Sequence, residues 1–386
     1  MELSRSQYIT PPPPPQTSDS KDTIDPRNAF NNPTENRDYN RNYTEIVPQI
    51  ALPGCQLPVL PGDEEKKNIR RQYNIAGGGL LLHCVMTNVL AMILYFVIAL
   101  ILRMTDQNAG PLPGNYDTLQ SQYLSDSSIS MALNLGLFLL CNVLVFFIGC
   151  RWSKIKVASL FQTKNLKVPT LLRYMLLGLF IQFVSAILAS YAEDVAYYLL
   201  DKPLYTPDFS TNDNLLKTVA TVLSVCVVAP ITEELLYRGF FLKTMSRVSQ
   251  RFGIFMSALF FALAHENIAQ GILTFFLGIL LGYVTTKHDS LVPAIVVHFT
   301  INTFSMSSTL ISQFAPSLLN AFSMLAGMVI LFGGLAMLIY TLICERLPDN
   351  TPHQSIRSGR IACSSICLWL TAGIHLILSL TYILQS

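Results

Sequence analysis

The chain alternates between long apolar runs and short polar, charge-bearing stretches, and the runs are of a length to cross a bilayer as helices, near 20 residues each. From the amino end, spans are expected at about Gly78 to Leu102, Ser128 to Cys150 and Leu171 to Tyr191, with a fourth opening near Leu215 and leaving through Lys243. Two shorter ones follow at about 252–266 and 268–286, then 290–311, 316–343 and 361–384. The pattern predicts an all-α polytopic membrane protein of about nine transmembrane helices. Ahead of it, residues 1 to about 70 are rich in Pro, Asn, Asp, Thr and Gln, including the run Pro11 to Pro15. Such a segment buries too little apolar surface to offset its chain entropy, and a disordered tail is expected.

Charge orients the spans. Lys66, Lys67, Arg70 and Arg71 precede the first, and Arg151, Lys154, Lys156, Lys164 and Lys167 follow the second, while the loop between them holds only Arg103 at its edge. By the positive-inside rule the amino terminus is cytoplasmic, and nine spans satisfy the rule at every loop. No apolar h-region occurs in the first 70 residues, so no signal peptide is expected.

Composition agrees: of 386 residues, 51% are hydrophobic and 13% charged, outside the range of ordinary soluble domains. Net charge is only +2, and with neither a basic patch nor a stacking-aromatic pattern, nucleic acid is not an expected partner. The eight cysteines lack the spacing of a disulfide framework or zinc knuckle and read as small buried hydrophobes.

Against this background the stretch Cys226 to Asn302 stands out. It places Glu233, Glu234 and Arg238, then Phe261 and His265, then His298 and Asn302, on successive apolar spans. An ionisable group in hydrocarbon costs roughly 2.5 kcal/mol or more, so five of them mark a functional region. Residues four apart share a helical face, which pairs Glu234 with Arg238, Phe261 with His265 and His298 with Asn302. Glu233 lies about 100° round the helix from Glu234. Arg238 then neutralises Glu234 and leaves Glu233 as the free acid or base. Pro230, just ahead, is expected to loosen the helix and open it to water. Gly271, Gly278 and Gly282 share a face of the sixth span and predict close helix packing. His83 and His375 show no polar companions in sequence and read as core histidines, whereas His288 and His353 read as loop residues.

Such residues suit peptide hydrolysis. Glu233 with His265 polarises a water, and His298 with Asn302 holds the oxyanion. The set Glu233, His265 and His298 also suits a zinc ion, or another divalent metal, with one open position for water. No His-Glu-x-x-His sequence is present, and metal-free activation is preferred.

Read as Glu-Glu-x-x-x-Arg, Phe-x-x-x-His and His-x-x-x-Asn in that order, these residues resemble the CPBP family of intramembrane proteases. That family takes in CAAX prenyl endopeptidases, lysostaphin-resistance-protein-A-like proteins and bacteriocin-processing or self-immunity proteins. The resemblance covers roughly residues 215 to 310. It implies a membrane-embedded endopeptidase, of metalloprotease or metal-independent glutamate type, acting on a peptide or membrane-anchored protein such as a prenylated CAAX tail or a leader peptide. The catalytic set is then Glu233, Glu234, Arg238, His265, His298 and Asn302. The compact motif set and the tail suggest a bacterial cell membrane, with peptide processing or self-immunity as the role. Four regions are expected: the tail at 1–70, amino-terminal helices at 71–214, the catalytic core at 215–310 and carboxyl-terminal helices at 311–386. Two other classes fit a polar membrane core, an ion-coupled transporter and a non-catalytic immunity or scaffold protein. The lack of a second copy of the motifs argues against the first, and the intact motif set against the second.

Overall fold

The computed structural model describes residues 61–105, 128–163, 166–201, 215–247, 249–345 and 358–385. Among them there is no strand, and the long helices are α1 (Pro61–Thr105), α2 (Ser128–Ser153), α3 (Val168–Leu200), α4 (Leu215–Met245), α5 (Gln250–Leu263), α6 (Ile268–His288), α7 (Val292–Phe314), α8 (Pro316–Cys344) and α9 (Ile366–Gln385). Seven are long and apolar enough to cross a membrane, namely α1 to α4 and α6 to α8.

The nine expected spans thus all appear as helices, but two of them fall short. At 14 residues, α5 measures about 21 Å, less than the roughly 30 Å of a hydrocarbon core. The apolar part of α9 is likewise short, Ile366–Thr381. The amino-terminal boundary also moves. Helix α1 begins at Pro61 rather than near residue 71, because Ile69, Tyr73 and Ala76 repeat at helical spacing and bury one face of this extension against the core. The tail at 1–60, His353 and Cys55 lie outside the described residues.

Two apolar clusters hold the helices together. One joins α1, α2, α4, α5 and the start of α9 through Tyr73, Phe146, Phe240, Phe241, Phe260, Phe261 and Leu368. The other joins α3, α6 and α7 through Tyr174, Leu277, Leu281, Val284, Val297 and Ile301. Phe240 seats its ring where α1 and α2 carry Gly79 and Gly149. A β-carbon at either glycine would come within 2.6 Å of that ring.

The glycine face of α6 packs as expected at two of its three positions. A β-carbon on Gly278 would stand 2.9 Å from the Ala258 Cα of α5, and one on Gly282 3.2 Å from Ile254. At Gly271 the nearest atom would be 3.6 Å away, ordinary contact distance. Four of the described cysteines are buried as read, Cys84, Cys141, Cys150 and Cys226. Cys344 and Cys363 are exposed and Cys367 is half-buried, a departure that follows from their place on the outer helices α8 and α9 and, for Cys363, in the turn just ahead of α9.

Candidate active site

Helix α4 carries the first motif and is not a regular α-helix. Two π-helical stretches, Leu223–Val228 and Leu235–Leu242, flank the α-helical turn Ala229–Glu234. π turns inside α-helices are frequent at functional sites. In the first stretch the backbone bonds run five residues back, as Ala229 N–H does to the Ser224 carbonyl. The next residue, Pro230, has no N–H to offer, so in this register the Val225 carbonyl is left without a backbone donor. Asn302 of α7 supplies it, donating its Nδ2–H to Val225 O at 2.8 Å. The loosening foreseen at Pro230 is therefore a change of helical register, and Asn302 spends one amide hydrogen holding it.

The two glutamates have opposite surroundings. Glu234 is fully buried, and its Oε1 accepts from Arg238 Nη1 at 2.9 Å and from His298 Nδ1 at 2.9 Å. Arg238 is equally buried. Its Nη2 reaches the Gly278 carbonyl of α6 at 3.5 Å, and its guanidinium lies 4.3 Å from the centre of the Phe261 ring. Glu233 keeps 16% of its side chain exposed, and its Oε2 stands 3.7 Å from His298 Nε2, beyond a direct hydrogen bond. One carboxylate is sealed and paired. The other is open and not locked.

Phe261 organises the rest. His265 sits edge-on to its ring at 4.9 Å between centres and His298 at 5.9 Å, while Tyr237 packs against it at 5.1 Å. The ring thus has Arg238 over its face and both histidines roughly perpendicular to it, more than the spacing of Phe261 to His265 had foretold. His265 turns its Nδ1 to the Phe261 carbonyl at 2.8 Å. With the carbonyl and the Glu234 carboxylate accepting, each histidine donates from Nδ1 and, when neutral, presents a lone pair at Nε2.

The structure brings Glu233, Glu234, Arg238 and His298 into one hydrogen-bonded or near-contact group, with His265 joined through Phe261 and Asn302 one helical turn beyond His298. Among the described residues, no three His, Cys, Asp or Glu side chains converge as ligands for an ion. The anchored Nδ1 atoms match the way metal-binding histidines are usually held. As arranged, however, Glu233, His265 and His298 do not meet at one point.

The histidines that look isolated in sequence have polar neighbours, His375 remaining buried as read. His375 donates from Nδ1 to Glu266 Oε1 at 2.9 Å. His83 lies beside Asn142 and near His375, and His288 closes α6 with its Nε2 3.2 Å from the Tyr174 hydroxyl. No spacing rule pairs residues on different helices so far apart in the chain, so the sequence held no signal for these contacts.

Residues 215–304 match the family model described as type II CAAX prenyl endopeptidase, Rce1-like. The match spans all three motifs and supports the CAAX-protease resemblance and a membrane-embedded endopeptidase. No curated protein and no solved structure gives a significant match to the chain.

Proposed function

We propose that this chain, an integral membrane protein whose residues 215–304 carry a Rce1-like segment, hydrolyses a peptide bond within the membrane with Glu233 as the base that activates water. The observation that carries the reading is the contrast between neighbours: Glu234 is sealed and hydrogen-bonded by Arg238 and His298, while Glu233 is part-exposed and stands 3.7 Å from His298 Nε2 without a direct hydrogen bond. Glu233 takes a proton from the attacking water and returns it to the leaving amine. The free Nε2 of His265 accepts the second water hydrogen. The remaining amide hydrogen of Asn302 and, in the imidazolium form of His298, its Nε2–H face the oxyanion of the tetrahedral intermediate, which preorganised donors stabilise. Glu234 and Arg238 fix His298 in place.

The substrate class that goes with the resemblance is a peptide or membrane-anchored protein, with prenylated CAAX tails and leader peptides as its two forms. A cytoplasmic amino terminus goes with this reading. Lys67, Arg70 and Arg71 of α1 share one recess with Trp152 of α2, a cationic and aromatic rim of the kind found at the inner membrane face.

Glu233→Gln in detergent-purified protein is expected to lower peptide cleavage about 10²-fold or more without changing the unfolding temperature. A Gln variant cleaving at the wild-type rate would remove Glu233 from the chemistry. The same Glu233, His265 and His298 are the donors that zinc would take, and a bound ion would acidify its water. Elemental analysis of the wild type beside Glu233→Ala, His265→Ala and His298→Ala separates the two. Under the water-activating mechanism, an active preparation contains no stoichiometric metal.

A further inference from the structure

The turn between α5 and α6 carries three consecutive polar residues, each with a different task. His265 turns inward to the Phe261 carbonyl. Asn267 caps α6, its Oδ1 accepting from Gln270 N–H at 3.0 Å. Glu266, between them, adopts a left-handed backbone with φ 54°. Glycine takes that conformation without steric cost and glutamate does not, so a glutamate there points to a role for its side chain.

That side chain leaves the proposed active site and reaches α9, where its Oε1 meets Nδ1 of His375, a residue 5% exposed. Helix α9 is in turn fixed to α1. Ser365 donates to Asn74 Oδ1 at 2.7 Å and Thr371 to the Gly77 carbonyl at 3.1 Å. The two helices touch so closely that a β-carbon on Gly77 would come within 2.6 Å of Leu368 N. The α1 and α9 pair is a firm abutment, and the Glu266–His375 bond moors the His265 turn to it.

We propose that Glu266 and His375 are positioning residues that set where His265 stands, so that α9, outside residues 215–304, controls the catalytic turn. The catalytic consequence rests on the role given to His265 above; the mooring itself does not. In the left-handed position Glu266 fixes the turn from one side, while the Phe261 carbonyl holds the imidazole from the other. Loss of the mooring leaves His265 bonded to Phe261 but on a turn free to swing. The water-activating geometry is then populated less of the time, which lowers turnover and leaves substrate binding unchanged.

The test uses the full chain in detergent and two readouts. Glu266→Gly keeps the left-handed turn and removes the carboxylate. His375→Ala removes the donor, and His375→Asn restores one near the place of Nδ1. Hydrogen exchange should accelerate about tenfold in peptides covering 262–269 for the Gly and Ala variants, with α7 unchanged and His375→Asn close to wild type. On one peptide substrate kcat should fall about tenfold with KM within twofold, and the double variant should be no worse than either single. Unchanged exchange in the turn overturns the mooring, whether or not the protein cleaves the substrate. Faster exchange with kcat unaltered, or an effect confined to KM, overturns the positioning role. A wild-type protein that cleaves nothing, with the exchange pattern as expected, tells against the proposed reaction and leaves the mooring in place.

Discussion

Two adjacent glutamates differ by one step of 100° around a helix, and that step separates a clamp from a reactive group. Glu234 accepts hydrogen bonds from Arg238 and His298, whereas Glu233 comes no nearer to His298 Nε2 than 3.7 Å. The i,i+4 rule reaches the first of these contacts and stops there, because His298 is 64 positions away. The same holds for Asn302, whose partner on α4 is a backbone carbonyl and so has no signature in any side-chain pattern. Its bond to Val225 makes a sharp prediction. Asn302→Ala orphans that carbonyl and should cost about 1–3 kcal/mol. Pro230→Ala supplies an N–H in register, so the double variant Pro230→Ala/Asn302→Ala should recover much of the loss. Unfolding of the four proteins in a double-mutant cycle checks it, and additive losses would refute the register argument.

Among the elements, helix pairs meet where side chains are small, and α5 with α6 is the tightest case in the candidate site. Gly278 admits Ala258 on one side, and a β-carbon there would also come 3.3 Å from Arg238 Nη2. Gly278→Ala should therefore destabilise by about 1–3 kcal/mol through overpacking, and should disturb the Arg238 pairing with it. Gly271→Ala meets only a carbonyl oxygen at 3.6 Å. There the better helix propensity of alanine should leave stability unchanged or raise it by up to about 1 kcal/mol. Thermal unfolding of the two variants side by side distinguishes packing from propensity. The glycine spacing was legible in sequence. That Gly278 and Gly282 but not Gly271 are in close contact was not, since that depends on the angle at which α5 crosses.

For the whole molecule, the outer helix α8 is tied to the core at one end. Glu345, just past α8, accepts from the Tyr174 and Tyr283 hydroxyls at 2.9 Å each and pairs with Arg173 and Lys287. Partial burial works against its charged form, but hydrogen bonds from Lys287, Tyr174 and Tyr283 outweigh it and hold its carboxyl below the ordinary 4.5. A depressed carboxyl pKa gives stability that is complete above 4.5 and lost as pH falls through the folded value. Wild-type protein should accordingly lose unfolding temperature on acidification below about pH 4.5. Glu345→Gln should start lower and show a flatter profile over that range. Identical profiles in a pH series of thermal unfolding would mean that this knot contributes nothing to stability.

The sequence by itself determined the solvent the chain folds in and the helices it forms, because span length and polarity are local properties of consecutive residues. It also marked Glu233, Glu234, Arg238, His265, His298 and Asn302, since charge inside an apolar run costs enough to be conspicuous. The tertiary structure alone decided the rest: that His298 hydrogen-bonds Glu234 rather than Glu233, that Asn302 reaches the Val225 carbonyl in the π stretch ahead of Pro230, and that His375 reaches Glu266. Each of these is a contact between residues 64 to 109 positions apart. Their meeting is set by how whole helices pack, and no periodicity along the chain encodes it.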